Sequence, residues 1–477
     1  MMFRGTVRRI FFVGIGGSGM SGIAEVLCNM GFAVSGSDLK ESAVVARLRG
    51  LGAEVRIGHA AANIDQVDVV VRSSAVMADN PEILEAHRQK IPVIPRAEML
   101  AELMRMKYGL AIAGTHGKTT TTSMVATCLH HEAGRLRELG GAEATRGASF
   151  DPTVVIGGRL DTFGSSARLG QGDYLVAEAD ESDGSFLLLQ PTVAVVTNID
   201  PEHMEHWASF DALVDGFVRF ANSVPFFGFA VVCVDHPVVQ DALPRLRRRT
   251  ISYGFAAHAE YRADRVRQAG RTLHFRVWRR EEILGELQLA VPGRHNVQNA
   301  LAAVAVAMEV GIPFEGVRQA LHNFGGVDRR FSERHDVGGV LMIDDYGHHP
   351  VEIQATLLAA AEAYDGRRIV AVVQPHRPSR VHHLLHEFCR SFNAANLVLV
   401  CPIYAAGEAP IPGVDHLGIV NGLREHGHRG AEAVDSLDGA ISRLLEVLRP
   451  GDVLVTLGAG DVNRILSPLA GRLGDAL

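Results

Sequence analysis

The sequence predicts an α/β protein of three domains, each a mostly parallel sheet flanked by helices. Three observations carry that expectation. The 477 residues allow about three domains at roughly 150 residues each. Short β-branched runs alternate with helical stretches along the chain, the pattern of strands covered on both faces. Twice, a glycine-rich turn stands between such a run and a helix, where open parallel sheets bind their ligands.

The first domain is expected over 1–106. Arg9 to Val13 reads as a strand, Gly14 to Gly19 as a turn, Met20 to Met30 as a helix, and Ala33 to Gly36 as a second strand leading to Asp38. Ser42 to Gly50 and Pro81 to Gln89 read as helices, the latter with proline at its first position; Val67 to Val71 is a β-branched run. After Ile91 to Pro95, a helix from Ala97 to Lys107 leads to a new strand, Leu110 to Ala113, which puts a boundary near Met106. The central domain, 107–326, continues with a helix from Thr120 to His130 and strands at Thr153 to Ile156, Tyr174 to Ala177, Thr192 to Thr197 and Ala230 to Val234. It closes with the helix Asn296 to Val310 and the Gly325-Gly326 break, while the Arg/Glu/Gly mixture of Arg135 to Phe150 reads as a surface loop or insertion. The third domain, 327–477, repeats the scheme with strands at Val340 to Ile343, Ile369 to Val373, Leu397 to Val400 and Val453 to Leu457, and a helix at Val351 to Ala363.

A net charge of -7 supplies no cationic field for a nucleic-acid backbone or an anionic membrane. No run of about 18 apolar residues suggests a span. Arg4, Arg8 and Arg9 precede an apolar run, but Ile10 to Val13 suits a buried strand better than a signal core, so an uncleaved, soluble chain is expected. The five cysteines are odd in number and never spaced C-x-x-C, which fits a reducing cytoplasm and argues against a structural zinc site. A monomer or weak homodimer is expected.

Four segments carry chemistry. Gly14-Ile15-Gly16-Gly17-Ser18-Gly19 with Asp38 matches a dinucleotide fingerprint: the glycines admit a diphosphate to a helix N-terminus and the acid accepts from a ribose hydroxyl. NAD(P), FAD and a nucleotide-sugar diphosphate all satisfy it. Gly114-Thr115-His116-Gly117-Lys118-Thr119-Thr120 is a phosphate loop, with Lys118 for the β/γ oxygens and the Thr119 hydroxyl for Mg²⁺. It is shorter than usual, with Ile112 where the general pattern has its first glycine. Glu178, Glu181 and Asp183 follow one strand, and Asp200, Glu202 and His203 follow the next; they read either as a Mg²⁺ site or as a solvated acidic loop. Further on, Gly293 to Asn299, Arg329 to Phe331, Asp344 to Pro350 and Gln374 to Arg380 offer amides for a base edge and guanidinium groups for carboxylate or phosphate.

Taken in order, G114-T-H-G-K-T-T, A177-E-A-D-E-S-D, T197-N-I, G293-R-H-N-V-Q-N, R329-R-F and D345-Y-G-H-H-P resemble the Mur ligase family, from about Arg9 to Ala459. The resemblance implies a Rossmann-like first domain, a P-loop ATPase-like central domain and a Rossmann-like third domain. G14-I-G-G-S-G-M, D-D-Y-G-H-H-P and Q-P-H-R resemble the branch that joins L-alanine to UDP-N-acetylmuramate. What this implies is an ATP- and Mg²⁺-dependent ligase of peptidoglycan precursor synthesis that works through an acyl phosphate.

By motif matching, Gly114 to Thr120 would hold ATP, Thr119 and Glu178 would ligate the metal, and His203 would serve a second Mg²⁺. Asn296 and Asn299 would face adenine; Arg330 and Asp345 would serve the nucleotide from the third domain, and with Lys118, Glu178 and His203 they make up the catalytic set. Tyr346, His348, His376, Arg377 and Arg380 would line the alanine side. Gly14, Gly16, Gly17, Ser18, Gly19 and Met20 would hold the UDP diphosphate, with Asp38, Ser73 and Ser74 near the uridine end. Relatives that add later residues are expected to use a carbamylated lysine in the central domain, and this chain has no lysine after Lys118. Asp328, before Arg329-Arg330, departs from the family pattern.

Overall fold

The computed structural model describes residues 7–73, 75–160 and 165–475. Two compact units emerge from its internal contacts. One comprises Met1–Asp264, Arg276–Leu287 and Gln298–Phe324; the other comprises Arg265–Phe275, Gln288–Val297 and Gly325–Leu477.

The first unit opens with five parallel strands, β1 (Arg9–Val13), β2 (Ala33–Asp38), β3 (Glu54–Ile57), β4 (Val69–Arg72) and β5 (Val93–Pro95), in the order β3-β2-β1-β4-β5. The central strand β1 is apolar on both faces. Ile10 and Phe12 enter one core, Phe11 and Val13 another, as the two-residue period of a strand requires. Two of its helices start where short polar side chains cap them: Ser42 accepts from the Val45 amide at 3.2 Å, and Asn80 accepts from the Glu82 amide at 2.9 Å with Pro81 at the first helical position. The helix Ser18–Asn29 buries Ile23 and Leu27 in a core shared with Val155 and Ala167 of the next sheet.

That second sheet has ten strands: β6 (Tyr108–Ala113), β7 (Thr153–Leu160), β8 (Ser165–Arg168), β9 (Tyr174–Glu178), β10 (Val193–Val196), β11 (Phe229–Cys233), β12 (Thr250–Gly254), β13 (Tyr261–Ala269), β14 (Thr272–Arg279) and β15 (Glu282–Leu289). Their order is β15-β14-β13-β12-β11-β10-β6-β9-β7-β8. Strand β6 runs parallel to both neighbours, β10 and β9, so the segments that follow all three emerge at one edge of the sheet. The strands β13 to β15 were not foreseen. Leu273, Phe275 and Val277 are buried with His274 and Arg276 between them, the two-residue alternation of a strand.

The expected surface loop at Arg135 to Phe150 is overturned. The helix Lys118–Leu139 runs into it, and a second helix, Gly141–Phe150, packs back on the first. Small size permits this contact: a Cβ at Gly147 would sit 2.8 Å from the Leu136 Cβ and 3.0 Å from the Ala133 carbonyl oxygen. Phe150 then stacks on Tyr174, ring centroids 5.6 Å apart.

The second unit holds a six-stranded sheet of β16 (Ser332–Val337), β17 (Val340–Asp345), β18 (Ile369–Val373), β19 (Leu397–Val400), β20 (Ala431–Ala433) and β21 (Val453–Leu457). The order is β16-β17-β21-β18-β19-β20, parallel except for the edge strand β16. Among the described residues, no helix is long and apolar enough to cross a membrane.

Candidate functional site

In the first unit the buried strand β6 delivers the loop Gly114–Gly117 to the N-terminus of a 22-residue helix. Glycine is required at both ends of the loop. Gly114 has φ +133°, and a Cβ there would lie 1.9 Å from the Thr197 hydroxyl oxygen; Gly117 has φ +80°, and a Cβ there would lie 2.6 Å from the Asn299 side-chain oxygen. The segment after β10 pins the loop. Thr197 Oγ1 donates to the His116 carbonyl at 2.6 Å, the His116 amide donates to Asn198 Oδ1 at 2.7 Å, and the Asp200 amide donates to Thr115 Oγ1 at 2.8 Å. The Asp200 carboxylate stands 3.4 Å from His116 Nε2 and 3.3 Å from His236 Nε2. Burial opposes its charge, but hydrogen bonds from the two imidazoles outweigh that and hold it well below the usual carboxylate range.

Lys118 Nζ donates to both oxygens of Glu181, at 2.9 and 2.8 Å, and to the carbonyls of Gly114 (2.6 Å) and Thr115 (3.1 Å). Burial works against the ammonium, yet Glu181, Asp180 and Glu178 raise its pKa above the ordinary value. Burial, with Asp180 nearby, pushes the Glu181 carboxyl up to about 7 despite Lys118. Thr119 Oγ1 donates to Glu178, 3.1 Å from each oxygen, and Glu178 Oε2 also accepts from the Gly157 amide at 2.8 Å. A hydroxyl converging with a carboxylate at a phosphate-type loop is a hard-oxygen donor set that fits Mg²⁺. His203 adopts φ +58°, and burial lowers its pKa, countered by Glu202 and Asp180. Thr120 lies half-buried in the first turn of the helix.

The first glycine turn is built by similar rules. The amides of Gly14 and Ile15 donate to the Ser37 carbonyl, the Gly16 amide donates to Asp38 Oδ2 at 2.8 Å, and the Met20 amide donates to the Gly17 carbonyl at 3.0 Å. Asp38 therefore closes on the turn, and a Cβ at Gly16 would lie 2.8 Å from its carboxylate. Gly17 precedes the helix that Ser18 begins. Ser73 Oγ accepts from the Ala75 amide at 3.3 Å, and Ser74 lies outside the described residues. A cavity of about 260 Å³ joins this turn to the acidic segment and is lined by Gly17, Gly19, Met20, Ser73, Glu178 and Asp180 among others. Arg96 lines it too and was missed. It begins the helix that follows β5 and carries no motif, and only its strand-end position could have drawn notice.

Asn299 sits behind the loop and accepts from Thr121 Oγ1 at 3.2 Å. In the second unit, Asn296 is buried and donates to the Pro292 carbonyl at 2.7 Å. There Arg329 and Arg330 both lie over the Tyr346 ring, 5.0 and 5.2 Å from its centroid. Arg330 NH1 is 3.5 Å from Glu352. Asp345 accepts from the amides of Phe331 and Gly347, each at 2.7 Å; burial pushes its carboxyl up to about 6, partly offset by Arg330 and those two amides. His348 stands against Tyr346 and His376, and His376 stacks flat on Tyr404 at 5.5 Å. Arg380 donates to the His376 carbonyl at 3.1 Å, while Arg377, at φ +69°, stands 3.7 Å from Glu408. These five predicted residues thus gather beyond β17 and β18, joined by Tyr404 and Glu408 beyond β19. Asp328 finds its partner in Arg334, at 2.5 Å.

Three family models match the chain: "Mur ligase family, catalytic domain" over residues 9–108, "Mur ligase middle domain" over 112–307, and "Mur ligase, glutamate ligase domain" over 329–460. The chain is 54% identical over 472 residues to the UDP-N-acetylmuramate–L-alanine ligase of Anaeromyxobacter sp. (strain Fw109-5), covering 99% of each chain. It is 53% identical over 474 residues to the protein of that name from Sorangium cellulosum (strain So ce56), covering 99% of this chain and 98% of the other. The solved UDP-N-acetylmuramate-alanine ligase of Thermotoga maritima matches with a TM-score of 0.81 at 29% identity, over 98% of this chain and 100% of that one. Matched in all three parts, and identical at more than half its positions to full-length relatives, the chain belongs to the Mur ligase family.

Proposed function

We propose that this chain is a cytoplasmic, ATP- and Mg²⁺-dependent ligase that joins L-alanine to the lactyl carboxylate of UDP-N-acetylmuramate in peptidoglycan precursor synthesis. The names of its full-length relatives support this reading. The observation that carries it is that one cavity borders both the first glycine turn and Glu178, whose carboxylate meets the phosphate-loop residue Thr119. We assign 1–106 to the UDP-sugar, 107–326 to ATP and 327–477 to the amino acid.

A carboxylate does not condense with an amine in water. Transfer of the γ-phosphoryl group makes an acyl phosphate, and the alanine amine displaces phosphate from it, leaving an amide, ADP, phosphate and a proton. The amides of Gly114–Thr120 and the fixed charge of Lys118 hold the polyphosphate and stabilise the charge of the group in flight. Thr119 and Glu178 would hold Mg²⁺, with His203 at a second ion, and the metal would supply positive charge to phosphate oxygens. Arg330 and Asp345 serve the nucleotide from the C-terminal domain, and Asn296 and Asn299 face adenine. Tyr346, His348, His376, Arg377 and Arg380 receive alanine, a guanidinium fork suiting its carboxylate. Gly14 to Met20 hold the UDP diphosphate, with Asp38, Ser73 and Ser74 toward the uridine.

Phosphate release from UDP-N-acetylmuramate, L-alanine, ATP and Mg²⁺ tests the reading. Alanine is required, a tripeptide does not replace it, and NAD has no effect; absence of phosphate release from the complete mixture refutes it.

A further inference from the structure

The cavity between the first glycine turn and the end of β9 has an electrostatic problem built into it. Its described lining includes two carboxylates, Glu178 and Asp180, and a single cation, Arg96. Lys118 is taken by both oxygens of Glu181 and is not among those lining residues. A carboxylate-bearing substrate that approaches the phosphate loop through this cavity meets the Asp180 carboxylate even where a metal neutralises Glu178, and a guanidinium in the lining offsets that repulsion.

Arg96 is placed to be that counter-ion. A Cβ at Gly19 would lie 2.3 Å from Arg96 NH1 and 2.9 Å from its Cζ, so glycine at this position admits the guanidinium onto the first turn of the helix Ser18–Asn29. From there NH2 stands 3.7 Å from Asp180 Oδ2, a loose pair at a half-buried site. Such a pair leaves donors of the fork for a second carboxylate. Leu100, one turn along the same helix, and Met20 supply apolar surface beside it, which suits a short alkyl group next to the acid. Diphosphate recognition is the competing role for this guanidinium, since the amides of Gly14, Ile15, Gly16 and Met20 are bonded within the turn, and the choice of titrant separates the two roles.

We infer that Arg96 receives the lactyl carboxylate of the nucleotide-sugar and aims it at the phosphate loop, an inference that rests on the function proposed above. Calorimetric titration of the full chain with UDP-N-acetylmuramate and with UDP-N-acetylglucosamine, which lacks the lactyl group, tests it. Loss of a charge-assisted hydrogen bond in Arg96→Ala weakens the first ligand roughly 10- to 100-fold and leaves the second within about twofold. Arg96→Lys, which keeps stem and charge but loses the fork, gives a smaller loss with the same selectivity. In turnover, the KM for the muramate rises and that for ATP does not. Equal weakening of both sugars assigns Arg96 to the diphosphate and overturns the inference, as does no weakening of either. Failure of folded wild-type protein to bind UDP-N-acetylmuramate refutes the functional reading instead.

Discussion

Removing the Lys118 ammonium tests what holds the phosphate loop together. Lys118 and Glu181 share two hydrogen bonds of 2.8 and 2.9 Å, and the Glu181 side chain is only 1% exposed. Lys118→Ala strands that carboxylate without a partner, and breaking one side of a buried pair costs about 3–5 kcal/mol. The carboxyl, already up to about 7, escapes part of the cost by taking a proton, so the lower end, about 3 kcal/mol, is expected at pH 7. Glu181→Gln in the same chain removes the charge that remains and returns part of that cost, more at pH 8 than at pH 7, because ionisation of the partnerless carboxyl is what destabilises the single variant. Urea unfolding of wild type, both single variants and the double variant reads these values as a cycle. Phosphate release stays abolished in Lys118→Ala and in the double variant, because both lack the cation proposed above to act on the polyphosphate. A Lys118→Ala variant that loses less than about 1 kcal/mol, or a double variant no more stable than the single, refutes the idea that this pair braces the loop.

Three further outcomes follow from the geometry. Gly114→Ala drives a methyl to within 1.9 Å of Thr197 Oγ1 at a backbone angle alanine disfavours, and equilibrium titration shows ATP binding lost. Thr197→Val removes the hydroxyl that donates to the His116 carbonyl at 2.6 Å, costing about 1–2 kcal/mol in urea unfolding and raising the KM for ATP. Asp345 has its folded pKa raised from 3.8 to about 6, so the folded state holds its proton longer than the unfolded chain; its stabilising contribution is full below pH 4 and is lost as pH rises to about 6. The stability deficit of Asp345→Asn relative to wild type therefore shrinks by about 2–3 kcal/mol between pH 4 and pH 7 in urea titrations, and a constant deficit refutes that assignment.

The central strand and loop were legible because the chemistry left little choice: an apolar run, two glycines and Gly-Lys-Thr fix a strand, a left-handed turn and a helix start. The role of Thr197 and Asn198 was not legible as a metal-side segment, because their task is to bond the backbone of a loop some 80 residues earlier, and sequence spacing does not report such pairings. Arg135 to Phe150 misled because Ala133, Leu136 and Gly147 make a helix contact out of smallness rather than out of a broad apolar stripe. Arg96, Tyr404 and Glu408 carry no motif; what they share is a position just beyond a strand end, and that signal singles out too many residues to be decisive alone.

The greasy seam where Ile23 and Leu27 meet Val155 and Ala167 sets a limit on how this chain can be dissected. A gene fragment beginning near residue 107 would lay bare one wall of that seam, and a fragment ending there would lay bare the other. Each half made alone would turn that apolar wall to water, so the two are best produced as one continuous piece.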